Sequence, residues 1–197
     1  MGWQWGGGWL ASLGFSDFAG STLVHSTGGA AALAGIMILG PRFGRFDSKG
    51  MPKAIQPFAA SSIPLVTIGV FILWLGWFGF NGGSQLALGS FTDAVAISTI
   101  FINTNLAACG GVLAAAVVTR LLFTKTDVVQ MLNGAIGGLV AITAEPLAPT
   151  PLAAILVGAI GGVIVVFGTK LLFSFKLDDV VGAIPAHMFA GIFGTLV

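Results

Sequence analysis

PFAASSIPLVTIGVFILWLGWFGFNGGS, residues 57–84, carries no charged side chain along its whole length. A bilayer's hydrocarbon layer is about 30 Å thick and is crossed by roughly 20 apolar residues in helical form, so this stretch reads as a membrane span. Pro57 opens it, where a missing N–H costs nothing. Working outward, the same pattern of apolar runs bounded by charge, Gly and Pro predicts further spans near 17–39, 93–123, 128–144, 151–175 and 180–197. The fold class is therefore an all-α membrane protein of about six transmembrane helices, held in a single domain over residues 1–197. Composition leads to the same class. Hydrophobic residues make up 56% and charged residues 8%, against about a quarter charged in soluble domains. A net charge of +1 indicates no nucleic-acid partner.

The few charges give an orientation. Arg42, Arg45, Lys49 and Lys53 lie between the first two spans, Arg120 and Lys125 between the third and fourth, and Lys170 and Lys176 between the fifth and sixth. The intervening connections contain neither Lys nor Arg. By the positive-inside rule the basic connections are cytoplasmic and Met1 starts outside. The opening MGWQWGGGWL lacks the basic start and cleavage site of a signal peptide, and Trp3, Trp5 and Trp9 read as interfacial aromatics. Cys109 is the only cysteine, so an intrachain disulfide and a multi-cysteine metal site are both excluded.

Small residues crowd the spans and permit close helix contact. GAIGG occurs at 134–138 and again at 158–162, and Phe18-Ala19-Gly20 is echoed by Phe189-Ala190-Gly191. Convergent packing chemistry explains both echoes at least as well as duplication. A pairing of the first span with the sixth would nevertheless suit an inverted repeat.

Polar groups inside a span are costly and point to function. His25 lies about 12 Å into its helix at 1.5 Å per residue, which is mid-membrane, and His187 is placed similarly from the other side. Each imidazole is either a packing residue satisfied by a carbonyl or part of a pair. As a pair they could serve as metal ligands, a proton relay or a polar pore lining. No Cys, Asp or Glu at that depth completes a metal set, so no metal or other cofactor is expected. Trp77, Phe80 and Ser84 share one helix face rising toward the outer surface. They are interfacial anchors or a site holding a small cation by cation–π attraction and one hydrogen bond. Asn81 is a packing amide or part of that vestibule. Asp17 reads as a cap on the first helix at the outer mouth. Asp178 and Asp179 suit the N-terminus of the sixth. Thr143 either bonds back to its own helix or faces a pore.

Taken together, several strings resemble the Amt/Mep/Rh ammonium transporter family, and its Amt/Mep branch more than its Rh branch. They are Asp17-Phe18-Ala19-Gly20-Ser21-Thr22-Leu23-Val24-His25, Leu75-Gly76-Trp77-Phe78-Gly79-Phe80-Asn81-Gly82-Gly83-Ser84, Asn103-Thr104-Asn105-Leu106-Ala107-Ala108, Asn133-Gly134 through Thr143-Ala144, and Asp178-Asp179 through His187. The resemblance implies an eleven-helix inverted-repeat fold, assembled as a homotrimer when complete. This chain would supply the end of the fourth helix through the tenth.

It further implies that His25 and His187 are twin pore histidines and that Phe80 is one gating ring. Trp5, Ser84, Thr143 and Trp77 would surround an outer ammonium site. The expected activity is transport of ammonium or ammonia across a plasma (inner) membrane, without enzymatic chemistry, through an outer cation site, deprotonation and conduction past the histidines. A cytoplasmic regulatory protein is a candidate partner. Three other readings stand beside this one: an ammonium sensor built on a transporter-like bundle, a membrane enzyme using the histidines with a metal, and a fragment that does not transport. The chain departs from the family pattern at Met188, where a Gly is usual after the second histidine. Pro185 either bends the last helix or lies in its first turn.

Overall fold

The computed structural model describes residues 1–46 and 58–197, so Lys49, Lys53 and the proposed start at Pro57 lie outside the described residues. Among the described residues every regular element is a helix. These are α1 (Trp9–Ser12), α2 (Ser21–Leu39), α3 (Ile63–Gly83), α4 (Phe91–Phe123), α5 (Val128–Ile142), α6 (Pro151–Ser174) and α7 (Ile184–Leu196). By length and composition α2, α3, α4 and α6 can cross a membrane, while α5 and α7 are apolar but shorter.

The helix starts follow local hydrogen-bonding chemistry. In α3 the cap is Ser62, whose Oγ accepts from Leu65 N–H, with Pro64 in the first turn, so the helix begins at Ile63. Helix α4 begins two residues ahead of Asp93 because Asp93 is its third residue and reaches back. Ser90 Oγ accepts from Asp93 N–H while Asp93 accepts from Ser90 N–H, a reciprocal capping box. Thr150 caps α6, with Pro151 at its first position as expected. Residues 17–20 and 178–183 precede α2 and α7 rather than belonging to them, for a reason given with the site below. Pro185 occupies the first turn of α7.

Helices α4, α5 and α6 form the packed centre. From Gly134 to Ile142 every residue of α5 is buried, because its glycines let it lie directly against α4 and α6. Its 15 residues span only about 22 Å at 1.5 Å each, less than the hydrocarbon layer. The chain beyond it therefore needs internal hydrogen-bond partners. Asn103 of α4 supplies them by donating from Nδ2 to the carbonyls of Pro146 and Pro149 at 2.9 and 2.8 Å. The two GAIGG strings face each other. Methyl groups built on Gly137 and Gly161 would each collide with the other's backbone, and one on Gly158 would overlap Ala107 of α4. Packing chemistry thus accounts for that echo. In contrast, α3 turns Leu65, Ile68, Phe71, Ile72 and Leu75 away from the bundle, all more than half exposed.

Candidate functional site

Helices α2 and α7 begin alike. Asp17 Oδ1 accepts from the N–H groups of Gly20 and Ser21, and Oδ2 from those of Thr22 and Leu23, at 2.8–3.0 Å. Asp179 Oδ1 accepts from Val181, Gly182 and Ala183, and Oδ2 from Ile184. In each case one carboxylate satisfies the orphan donors of a helix start. Three residues after each aspartate stands a glycine with positive φ, Gly20 at 111° and Gly182 at 77°, a backbone conformation that side chains disfavour. Eight residues after each aspartate stands a histidine. Both histidines lie in π-helical turns, Ser21–Ser26 and Ile184–Phe189, a wider winding that often marks functional positions. The internal echo that matters is therefore Asp-x-x-Gly-x-x-x-x-His at 17–25 and 179–187, in place of the Phe-Ala-Gly pairing.

The two starts bring the histidines together. His187 Nδ1 lies 3.2 Å from His25 Nδ1, with ring centroids 5.2 Å apart and planes 24° apart. Trp77 lies nearly parallel to His25, at 4.9 Å and 15°, and Phe80 approaches His25 at 5.2 Å and Trp77 at 5.6 Å. So α3 brings Trp77 and Phe80 to the pair that α2 and α7 form. An Nδ1-to-Nδ1 hydrogen bond holds one proton, which sets one ring as the Nδ1–H tautomer and the other as the Nε2–H tautomer. Of the two outward Nε2 atoms, one accepts and one donates. His25 Nε2 is buried and has no partner among the described residues. No third His, Cys, Asp or Glu joins the two histidines to form a metal-binding group among the described residues.

A buried polar chain holds Trp77. Its Nε1 donates to Thr143 Oγ1 at 3.0 Å. The Thr143 proton faces the Leu139 carbonyl at 2.7 Å and Asn81 Oδ1 at 3.2 Å, and Asn81 Nδ2 donates to Thr104 at 2.9 Å. Thr143 and Asn81 have no exposed surface. Thr143 is thus placed behind Trp77 rather than at an open outer site, and Asn81 is a packing amide. Replacing Thr143 by Val keeps the volume but leaves the indole N–H unpaired, at an expected cost of about 1–3 kcal/mol. A lowered melting temperature, largely restored by Thr143→Ser, is the outcome to measure.

The remaining expected residues sit further out. Ser84, one turn beyond Phe80, donates to the Phe80 carbonyl at 2.8 Å. Trp5 is 44% exposed, and its Nε1 donates to the Asp17 carbonyl at 2.8 Å. It therefore braces the start of α2. Asp17 itself is 1% exposed and committed to its cap. The side chain and backbone of Met188 press against Gly29, where a methyl group would meet Met188 atoms at 2.6 Å, so the residue after His187 fits a gap left by a glycine. Asp179 and the Asn81–Thr104 pair complete the arrangement. Asp179 already reads in the sequence as a helix-start acid and Asn81 as a polar residue of its span, whereas nothing in the sequence pairs Asn81 with Thr104.

Residues 1–197 match the family model described as Ammonium Transporter Family. The ammonium transporter Amt2 of Archaeoglobus fulgidus is 46% identical over 204 residues, covering 98% of this chain and 42% of that protein. Ammonium transporter 1 member 1 of Arabidopsis thaliana is 37% identical, covering 95% and 38%. Among solved structures, one named Sensor Amt Protein superposes with a TM-score of 0.89 at 38% identity, over 96% of this chain and 45% of that one. Candida albicans Mep2 does so at 0.85 and 34%, over 98% and 41%. The chain thus spans less than half the length of these relatives.

Proposed function

The chain belongs to the ammonium transporter family, and on that premise we propose that the complete protein containing it conducts ammonium or ammonia across a plasma (inner) membrane. The observation that carries this reading is the ring cluster on which α2, α3 and α7 converge, with the His25–His187 contact at its centre. Phe80 offers an aromatic face to a cation, worth about 0.5–2 kcal/mol, Trp77 lies buried behind it with its ring covered by His25, and Ser84 offers a hydroxyl oxygen as acceptor. A full charge is expensive in an apolar passage. The ion therefore gives up its proton to water on the outer side of the rings, and neutral ammonia passes the imidazoles. Ammonia both donates and accepts, and the histidine pair presents one outward acceptor and one outward donor, so each can satisfy the other.

The other residues act at one remove. Thr143 fixes Trp77, Trp5 and Asp17 fix the start of α2, and Asp179 fixes that of α7. Met1 outside, the basic connections in the cytoplasm, a homotrimer and a cytoplasmic regulatory protein complete the proposal. Likeness to Sensor Amt Protein favours a second reading, in which the same bundle binds the ion and signals. Ammonium flux into sealed vesicles containing the complete protein separates the two, since conduction predicts saturable uptake that a purely sensing bundle lacks.

A further inference from the structure

Asp178 stands one residue ahead of the carboxylate that caps α7, yet its side chain serves the end of α2. That side chain is 1% exposed. Arg42 grips it as a fork, with Nε to Oδ2 at 2.7 Å and Nη2 to Oδ1 at 2.9 Å, and the Arg42 backbone N–H adds a third bond at 3.0 Å. Arg45 Nε lies 3.2 Å from Oδ1. Both guanidinium groups rest on aromatic rings, Arg42 on Phe58 at 4.7 Å and Arg45 on Phe173 at 4.6 Å. The hydrogen bonds from Arg42 hold the Asp178 carboxyl below the usual carboxylate range, outweighing the opposing effect of burial. Planar bidentate pairs of this kind are short and geometrically specific.

The placement of the clip bears on the histidines. Arg42 follows α2 by three residues, after the turn at Gly40 with φ 74°. Asp178 precedes Asp179, whose four accepted N–H bonds fix the start of α7. The clip therefore joins the far end of the helix that carries His25 to the near end of the helix that carries His187. Among the described residues the only ion pairs are those made by Asp178. At and beyond the histidines, α7 touches α2 where Met188 meets Gly29, where Ser26 Oγ donates to the Met188 carbonyl at 3.4 Å and Ser21 Oγ to the Gly191 carbonyl at 3.1 Å, and where the Thr22 and Thr195 hydroxyls pair. Those contacts hold the two helices on one side of the histidines, and the clip is the tie on the other side.

We propose that Arg42 and Asp178 are positioning residues for the histidine pair, completing from the clip's side the register of α7 against α2 that the Ser21, Thr22 and Ser26 hydroxyls hold from the other, and with it the Nδ1–Nδ1 hydrogen bond. The consequence for transport rests on the conduction reading above. Phe80 and Ser84 belong to α3, so loosening the clip leaves uptake of the cation unaltered and disturbs only passage. Small misplacements far from the reacting groups can cost about a hundredfold in rate.

The test uses the complete protein with 15N-labelled histidine, and reads both the nitrogen–nitrogen coupling across the His25–His187 hydrogen bond and ammonium flux. Asp178→Asn is expected to lose the coupling and to lower maximal flux about tenfold to a hundredfold with the half-saturating concentration unchanged. Asp178→Glu, which keeps the carboxylate, is expected to retain both signals. If Asp178→Asn fails to fold, Arg42→Lys, which keeps the charge and loses the fork, takes its place with the same expected losses. Coupling that persists in the variant overturns the proposal whatever the flux does, as does its absence from the unaltered protein. Coupling present in the unaltered protein without any ammonium flux would overturn conduction alone.

Discussion

Replacing His25 by Ala in the complete protein is expected to lower selective ammonium flux about a hundredfold or more while leaving a folded protein. The imidazole is half-buried, contributes to no helix cap, and bonds only His187. Its loss removes the shared proton, leaves His187 Nδ1 without its neighbour, and uncovers the ring of Trp77 that it stacks against. Ammonia would then meet an apolar gap where the donor and acceptor stood, and unpaired polar groups in such a place cost several kcal/mol in hydrocarbon. Unchanged flux with unchanged selectivity would remove His25 from the account.

Asp17→Ala acts through the fold instead. It strips the acceptor from four N–H groups at once, at a position 1% exposed, where water cannot replace it. Each unsatisfied buried donor costs about 1–3 kcal/mol, so the sum rivals a stability of about 5–15 kcal/mol for a whole domain. The expected result is little or no monodisperse protein on size exclusion in detergent. Asp17→Asn keeps one carbonyl oxygen and should recover part of it. Normal yield and melting temperature for Asp17→Ala would show that the start of α2 is held by other contacts. The contrast between the two substitutions is itself informative, because one spares the fold and removes passage while the other removes both.

How much of this could be read from the sequence depended on the range of the interaction. The helices were legible because their signals are local: uncharged runs, prolines at first turns, Ser and Thr caps. The starts of α3 and α4 were misplaced by a few residues because Ser62 and the Ser90–Asp93 box outrank the nearest proline or charge. The histidines were legible as costly groups in apolar runs, but not at mid-helix: His25 is the fifth residue of α2 and His187 the fourth of α7, because the capping aspartates stand outside the helices. The family resemblance singled out Phe80. What the sequence could not supply was direction. Thr143 is as compatible with a pore as with a neighbour's indole until Trp77 is seen donating to it. Asp178 looks like a second helix-start acid until Arg42, separated by 136 positions, is found closing on it. The Asp-x-x-Gly-x-x-x-x-His repeat was present in the letters but hidden, because its intervening residues share nothing. Only the common need to cap a helix and to seat an imidazole in a wide turn makes the two copies equivalent.

The central claim is that the complete protein passes ammonium by the His25–His187 pair, and the most direct measurement is flux into sealed vesicles containing it, driven by a jump in ammonium and then by an equal jump in potassium. The account predicts saturable uptake after the ammonium jump, none above protein-free vesicles after the potassium jump, and loss of the selective component when His25 is replaced by Ala. Folded protein giving no ammonium response above protein-free vesicles, or responding equally to both cations, would contradict it.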